Sequence, residues 1–151
     1  MPDLITHSVL VYTLRNRSVK SEELVLLIIG AILPDLVTRP FMIIFPPAKY
    51  FFHAFHTPVA LILIILLISY LFEECYRAKV MKLLSLGVAS HLFLDLFQYS
   101  VGSRGYSWFF PFSYFDFRIG LFMPEDSLYI LPLLMIILGI DSYVYQNKKK
   151  K

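Results

Sequence analysis

Residues 57–72 read Thr57-Pro58-Val59-Ala60-Leu61-Ile62-Leu63-Ile64-Ile65-Leu66-Leu67-Ile68-Ser69-Tyr70-Leu71-Phe72. The stretch carries no charge, and its apolar residues cover every face of a helix. A helix in a small soluble bundle needs a polar side to show to water. This one has none, and a lipid environment is the solvent that suits it. The rest of the chain agrees. Its 151 residues suit one domain. It is 58% hydrophobic and 17% aromatic, with a mean hydropathy of +0.66. Only 17% of residues are charged, against about 25% in an ordinary soluble domain, too few to cover a globule. The expected class is all-α: a polytopic membrane helical bundle of about five helices, forming a single domain over 1–151 with a basic tail at 146–151.

Four further helices can be drawn around this one. The first runs from about Pro2 to Arg15. After a polar turn, Ser21 reads as an N-cap, with Glu22 and Glu23 in a first turn whose dipole favours anions. That helix continues from Leu24 to about Val37, kinked or ended near Pro34. Residues 39–52 mix Pro40, Pro46 and Pro47 with aromatics and read as a loop or re-entrant segment at the interface. The charged run Glu73 to Lys79 reads as a link, followed by a helix from about Val80 to Tyr99. A long aromatic loop leads to Pro124-Glu125-Asp126-Ser127, a helix start, and the last helix spans Leu128 to Tyr145. Every run falls short of the roughly 18 unbroken apolar residues of a full span, so a compact soluble bundle is the competing reading.

Charge sets the expected orientation. Of the fourteen Lys and Arg residues, ten lie on one set of connections: Arg15, Arg17, Lys20, Arg77, Lys79, Lys82 and the four lysines Lys148 to Lys151. Arg39, Lys49, Arg104 and Arg118 lie on the other. If five helices cross, the positive-inside rule places the C-terminus in the cytoplasm and the N-terminus outside. The terminal lysines after an apolar helix read as a membrane flank rather than a nucleic-acid arm. Membrane lipids are the expected partners, and no nucleic acid. Met1-Pro2-Asp3 lacks the basic start of a cleavable signal peptide. A single cysteine, Cys75, leaves no internal disulfide and no thiolate pair for a metal.

The polar residues gather where polarity is costly. All four histidines, His7, His53, His56 and His91, lie in or beside apolar segments, as do Asp35 and Asp95. Ionisable groups in such places are functional candidates by default. Hairpin arithmetic relates them, because partners equidistant from a turn lie at equal depth. His7 and Asp35 have their midpoint at residue 21, at the first basic turn. His56 and Asp95 have theirs at 75.5, inside the second charged turn. At 1.5 Å per residue both pairs fall within one to two turns of a common level, in the half away from the cytoplasm.

His91 and Asp95 form an i, i+4 pair on one helix face. Gln98 continues that stripe, and Gly87, one turn earlier, leaves room for a neighbouring helix. An imidazole and a carboxylate so placed can bind one metal, or can form a hydrogen-bonded pair that only fastens helices. His53 and His56 share a face among Phe51, Phe52 and Phe55, where interfacial histidines are the bland alternative. His7 alone reads as a buried structural residue, and Asp35 beside Pro34 as a cap on a broken helix. Their combination points to a metal site. Asp116, Glu125 and Asp126 are further candidate ligands or solvated loop acids. Arg104 and Arg118 would pair with a phosphate or simply anchor the interface, and Trp108 with its phenylalanines reads as an aromatic belt. There is no Gly-x-Ser-x-Gly elbow, no phosphate-binding Gly-x-x-x-x-Gly-Lys loop and no basic–aromatic patch for nucleic acid.

Several short motifs occur in a fixed order: Thr6-His7, Leu33-Pro34-Asp35, the His53/His56 segment ending in His56-Thr57, Ser90-His91-Leu92-Phe93-Leu94-Asp95, and Trp108-Phe109-Phe110-Pro111-Phe112-Ser113. In this order the chain resembles the YdjM-like inner-membrane proteins, described as metal-dependent hydrolases. The resemblance implies a membrane-embedded helical fold distantly similar to zinc-dependent phospholipase C and related nucleases. It implies His7, Asp35, His56, His91 and Asp95 as metal ligands, with His53 beside them. Three positions depart from the pattern: Val37 stands where a second acid is common, Ala54 where Arg is, and Pro58 where Ser is. These departures count against a full two-metal site and leave the general base unassigned.

The expected function is a hydrolase of the inner or plasma membrane, with its site towards the non-cytoplasmic face. Metal-activated water would attack a phosphoester or lipid headgroup bond. Zinc is the first choice of divalent metal for this His/Asp set, with manganese or iron as alternatives. Asp35 and Asp95 are the catalytic candidates, since an aspartate not fully occupied by metal would take the proton. Two rival readings use the same cluster: a metal or proton transporter or sensor, and a non-catalytic membrane scaffold.

Overall fold

The computed structural model describes residues 4–15, 19–99, 108–113, 115, 117, 119–123 and 126–149. Arg17, Arg104, Asp116, Arg118, Pro124, Glu125, Lys150 and Lys151 lie outside them, so the roles weighed for those residues have no structural counterpart. The described residues form six α-helices: α1 (Leu4–Leu14), α2 (Ser21–Ile44), α3 (Lys49–His53), α4 (Pro58–Tyr70), α5 (Glu74–Phe97) and α6 (Ser127–Lys149). Two 3-10 turns, Pro46–Ala48 and Ala54–His56, flank α3. The only β pairing among the described residues is an isolated bridge between Gln98 and Phe122. The five expected helices are present, and the sixth is the short α3.

Helix boundaries differ from expectation in instructive ways. Helix α2 does not end near Pro34 but passes both Pro34 and Pro40 to reach Ile44. A proline removes one backbone donor, yet an apolar surrounding leaves unwound backbone nowhere to find partners, so the helix persists. Its N-cap position is Lys20 rather than Ser21, and the Glu23 carboxylate accepts the Lys20 backbone N–H at 3.0 Å. The run Glu74 to Lys79 is not a link but the first turns of α5. Its charges find partners: Lys79 pairs with Glu23 of α2, and Arg77 Nε donates to Phe72 O at 3.1 Å. Helix α6 continues through Lys149, so most of the basic tail is helical.

Helices α2 and α5 are the centre of the bundle, with α1 and α4 packed on either side and α6 against α1. One core cluster joins Leu33, Leu61, Ile65, Val80, Leu84 and Val88 of α2, α4 and α5. A second joins Val11, Leu27, Ala31 and Leu83 of α1, α2 and α5. Helix α4 buries only Leu61, Ile65 and Ser69, a stripe at four-residue spacing. Its other faces expose Ile62, Leu63, Leu67 and Leu71, an apolar surface that lipid, not water, accommodates. By length and composition α2 and α5 can each cross a membrane. The segment Pro46–His56 with α4 counts as a third span if the 76° bend between them is one broken crossing.

The α2–α5 contact is backbone against backbone. A Cβ on Gly87 would stand 2.3 Å from Leu27 O and 2.7 Å from Ala31 N, and one on Gly30 would stand 2.5 Å from Leu84 O. The pairs Glu23/Lys79, Gly30/Gly87 and Ala31/His91 advance together along both helices, so α2 and α5 run parallel in close register. Such a crossing tolerates only small residues. Gly87→Ala is therefore expected to destabilise the protein by about 1–3 kcal/mol through overpacking, read as a fall of several degrees in Tm in detergent. Gly139→Ala, with nothing within 4 Å of the added Cβ, should leave Tm unchanged or slightly raised. Equal Tm values for the two variants would contradict the close crossing.

Candidate metal centre

One turn beyond the glycine crossing, five ionisable side chains converge. His7 of α1, Asp35 of α2, His56 at the end of the second 3-10 turn, and His91 and Asp95 of α5 are all buried. Two sets of ligand atoms lie within 4.8 Å of one another: His56, His91 and Asp95, and His7, Asp35 and His91. The chain brings them together by local means. The Gly30/Gly87 contact draws Asp35 towards the α5 face that carries His91 and Asp95. The Pro46–His56 segment returns across the end of the bundle and turns by 76° into α4 at Thr57, which sets His56 against Asp95.

The tight set has a clear donor–acceptor logic. His91 Nδ1 lies 2.6 Å from the Ala31 carbonyl of α2. A carbonyl only accepts, so Nδ1 carries the proton and donates, which leaves the Nε2 lone pair for the cluster. Thr38 Oγ1 donates to Pro34 O at 2.7 Å, so on its other side it can accept from His56 Nδ1, across a long 3.5 Å. His56 Nε2 lies closer to its own partner, 2.9 Å from a carboxylate oxygen that only accepts, so without a cation it carries the proton and donates to Asp95. With the proton moved to Nδ1, facing Thr38, it would offer a lone pair. The Nε2 atoms of His56 and His91 stand 3.3 Å apart, with Asp95 Oδ2 2.9 Å from His56 Nε2 and 3.3 Å from His91 Nε2. Three acceptors at such range need something positive between them, either a proton on one imidazole or a cation. Nitrogen and oxygen ligands 2.0–2.2 Å from one metal stand about 3.0–3.5 Å from each other. Two of the triad's three separations, both 3.3 Å, fit that spacing, while the 2.9 Å between His56 and Asp95 is a hydrogen-bond distance that would open slightly around an ion. The donor set of two imidazoles and a carboxylate matches a zinc-type centre with a position left open.

The looser set adjoins the triad. The His7 ring stacks on that of His91 with centroids 3.8 Å apart and 17° between planes, and its Nε2 is 3.7 Å from Asp95 Oδ1. Asp35 Oδ1 is 4.0 Å from His91 Nε2 and 2.7 Å from Arg39 Nε. Both ring nitrogens of His7 and Asp35 Oδ2 are buried without a hydrogen-bond partner among the described residues, and such atoms ordinarily hold water or an ion. His91 has one nitrogen to offer and cannot complete both sets at once, so the tight triad is the stronger of the two candidate metal positions. Charge leads to the same conclusion. Two buried carboxylates face one guanidinium, so with ionised carboxylates and neutral imidazoles the cluster carries a net charge of −1, which favours a cation.

His53 is placed differently. It ends α3, half-buried, one turn before His56, and belongs to neither set. Asp126 Oδ2 accepts the Met123 backbone N–H at 2.7 Å, a local turn contact. Sequence reasoning missed Thr38 and Arg39, although both lie three or four residues after Asp35, on its helix face. It also missed the Ala31 carbonyl, which has no sequence signal.

Supporting residues of this kind typically change metal affinity by about 10–100-fold. Thr38→Val, which keeps the shape and removes the hydroxyl, is expected to weaken metal binding by that factor in a chelator competition with helix content unchanged. His53→Ala should keep the wild-type metal content. Metal loss in His53→Ala with none in Thr38→Val would contradict the assignment.

No characterised protein and no solved structure matches the chain. The profile of the YdjM inner membrane protein family matches it over residues 4–151, nearly its whole length and all five converging residues, and the chain belongs to that family of membrane proteins.

Proposed function

We propose that this protein is a membrane-bound, metal-dependent hydrolase acting on a phosphoester, with its metal held by His56, His91 and Asp95. The observation that carries the reading is the buried triad of two imidazole nitrogens and a carboxylate oxygen at 2.9–3.3 Å, next to a carboxylate oxygen with no hydrogen-bond partner among the described residues, Asp35 Oδ2. A divalent cation bound there supplies a water of lowered pKa and a Lewis acid for the substrate oxygen. Asp95 is a ligand in this scheme, since Oδ2 faces both His56 and His91 and Oδ1 faces His7. Asp35 is the base. Arg39 holds its Oδ1 at 2.7 Å, which aims Oδ2 as a proton acceptor. His7, stacked on His91, keeps that ring in place and shields it. Zinc suits the donor set best, with manganese or iron as alternatives. Family membership and the positive-inside rule support an inner-membrane, multi-pass chain with the Glu23/Lys79 end in the cytoplasm.

A transporter or sensor built on the same cluster is the second reading. It is disfavoured by the packing between the cluster and the Glu23/Lys79 end, which consists of Leu27, Gly30, Leu83, Leu84 and Val80. Among the described residues that layer offers no polar step for an ion.

Metal-loaded protein in detergent should hydrolyse p-nitrophenyl phosphate or phosphatidic acid in mixed micelles. Chelation should abolish turnover and zinc should restore it. Asp35→Asn is expected to lower kcat by about 10²–10⁴-fold, the usual worth of a general base, with metal content retained. Metal-loaded protein that turns over no phosphoester, yet carries zinc into proteoliposomes, would replace the enzyme with the transporter.

A further inference from the structure

The parallel register of α2 and α5 extends past the metal triad. Residue pairs along the two helices are Glu23/Lys79, Gly30/Gly87, Ala31/His91 and then Asp35 with His91 and Asp95. One turn further, the same register carries Arg39 of α2 to the level of Gln98 at the end of α5. Both are hydrogen-bond donors, and each follows a carboxylate of the centre on its own helix. The five converging residues are almost wholly inaccessible, whereas the Arg39 side chain is 25% exposed, so Arg39 is where the centre meets its surroundings. Gln98 is 7% exposed, and its Nε2 donor is buried with no partner among the described residues. Backbone bonds fix it there: Gln98 N donates to Asp95 O, Ile119 N to Leu96 O, Leu121 N to Phe97 O and Tyr99 N to Phe122 O. A fixed, buried donor without an acceptor is costly unless a ligand supplies the acceptor.

We infer that Arg39 and Gln98 form an oxyanion-binding pair beyond the metal triad, which holds the non-bridging oxygens of a substrate phosphate. The inference rests on the metal-dependent reading above and deepens it by naming what reads the substrate. A guanidinium and an amide donor gain nothing from a neutral or cationic group. A carboxylate has two oxygens and would leave one of the three neighbours, metal position, Arg39 or Gln98, unserved. A phosphate monoester has three non-bridging oxygens, one for each, and the planar guanidinium suits such an anion. Arg39 thus stands beside Asp35 and would reach the substrate from its exposed side, coupling the proton acceptor to the anion that needs it. It is a binding and positioning residue rather than a source of protons.

The test measures binding of inorganic phosphate to the zinc-loaded full chain in detergent, by titration calorimetry, with zinc content determined in parallel. Wild type is expected to bind phosphate saturably and only when zinc is present. Arg39→Gln should weaken phosphate by roughly 10–100-fold, the worth of one charge-assisted hydrogen bond, with zinc content unchanged. Arg39→Lys, which keeps the charge without the fork, should fall between the two. Gln98→Leu should weaken phosphate by roughly 2–10-fold, the worth of a neutral hydrogen bond. Adding phosphatidic acid in the micelles distinguishes the sources of the anion. Displacement of phosphate identifies a lipid headgroup, and none identifies a water-borne phosphate; both fit the pair. Wild-type phosphate affinity in Arg39→Gln or Gln98→Leu with zinc retained overturns the pair. So does loss of zinc from Arg39→Gln and Arg39→Lys alike, which would make the arginine a support of the metal centre. A wild-type chain that holds zinc but no phosphate overturns this inference alone, whereas one that holds no zinc overturns the metal-dependent reading beneath it.

Discussion

Two glycines set the geometry on which the site depends. With no Cβ at Gly30 or Gly87, the backbones of α2 and α5 approach until a single added carbon would lie 2.3–2.5 Å from a carbonyl oxygen of the facing helix. At ordinary helix–helix separation, about 8–10 Å, the imidazole of His91 would not reach the Ala31 carbonyl, and the Asp35 and Asp95 side chains would face a gap. The close crossing makes a backbone carbonyl of one helix the orienting partner of a histidine on the other. Main chain therefore does work that elsewhere falls to a second carboxylate.

The consequence is a deliberate imbalance. Helices that face lipid satisfy their polar groups internally, and most of this chain does so. Among the described residues, buried side-chain atoms without a hydrogen-bond partner gather in one place and include both ring nitrogens of His7, Asp35 Oδ2 and Gln98 Nε2. A centre meant only to fasten helices would be most stable with every such atom paired. Such a network is what the proposed cation and phosphate would complete.

Much of this was legible in the residues themselves. The charge-free faces of α4 announce lipid. The spacing of His7, Asp35, His56 and Asp95 about two charged turns places them at one depth, and Gly87 below His91 announces a close neighbour. The arithmetic is least accurate for His56. The chain through Ala54–His56 is a 3-10 turn and Thr57 is extended, so that stretch does not advance at the rise of an α-helix, and the turn after α4 lies ahead of the computed midpoint. Three things were not legible. Prolines at 34 and 40 read as breaks, because their usual effect presumes water to take up freed carbonyls. Arg39 read as a mere orientation charge, because nothing in its spacing distinguishes a partner of Asp35 from an interfacial anchor. The Ala31 carbonyl, which sets the tautomer of His91, belongs to a residue with no functional side chain at all.

The proposed centre requires two imidazoles and a carboxylate from separate segments to share one cation. X-ray absorption at the zinc edge of the purified, detergent-solubilised protein reports that directly. It should show nitrogen and oxygen neighbours at about 2.0–2.1 Å, with the outer-shell scattering of two imidazole rings and loss of that signal in His91→Ala. A bound metal without imidazole scattering, or an unchanged spectrum in His91→Ala, would contradict the centre described here.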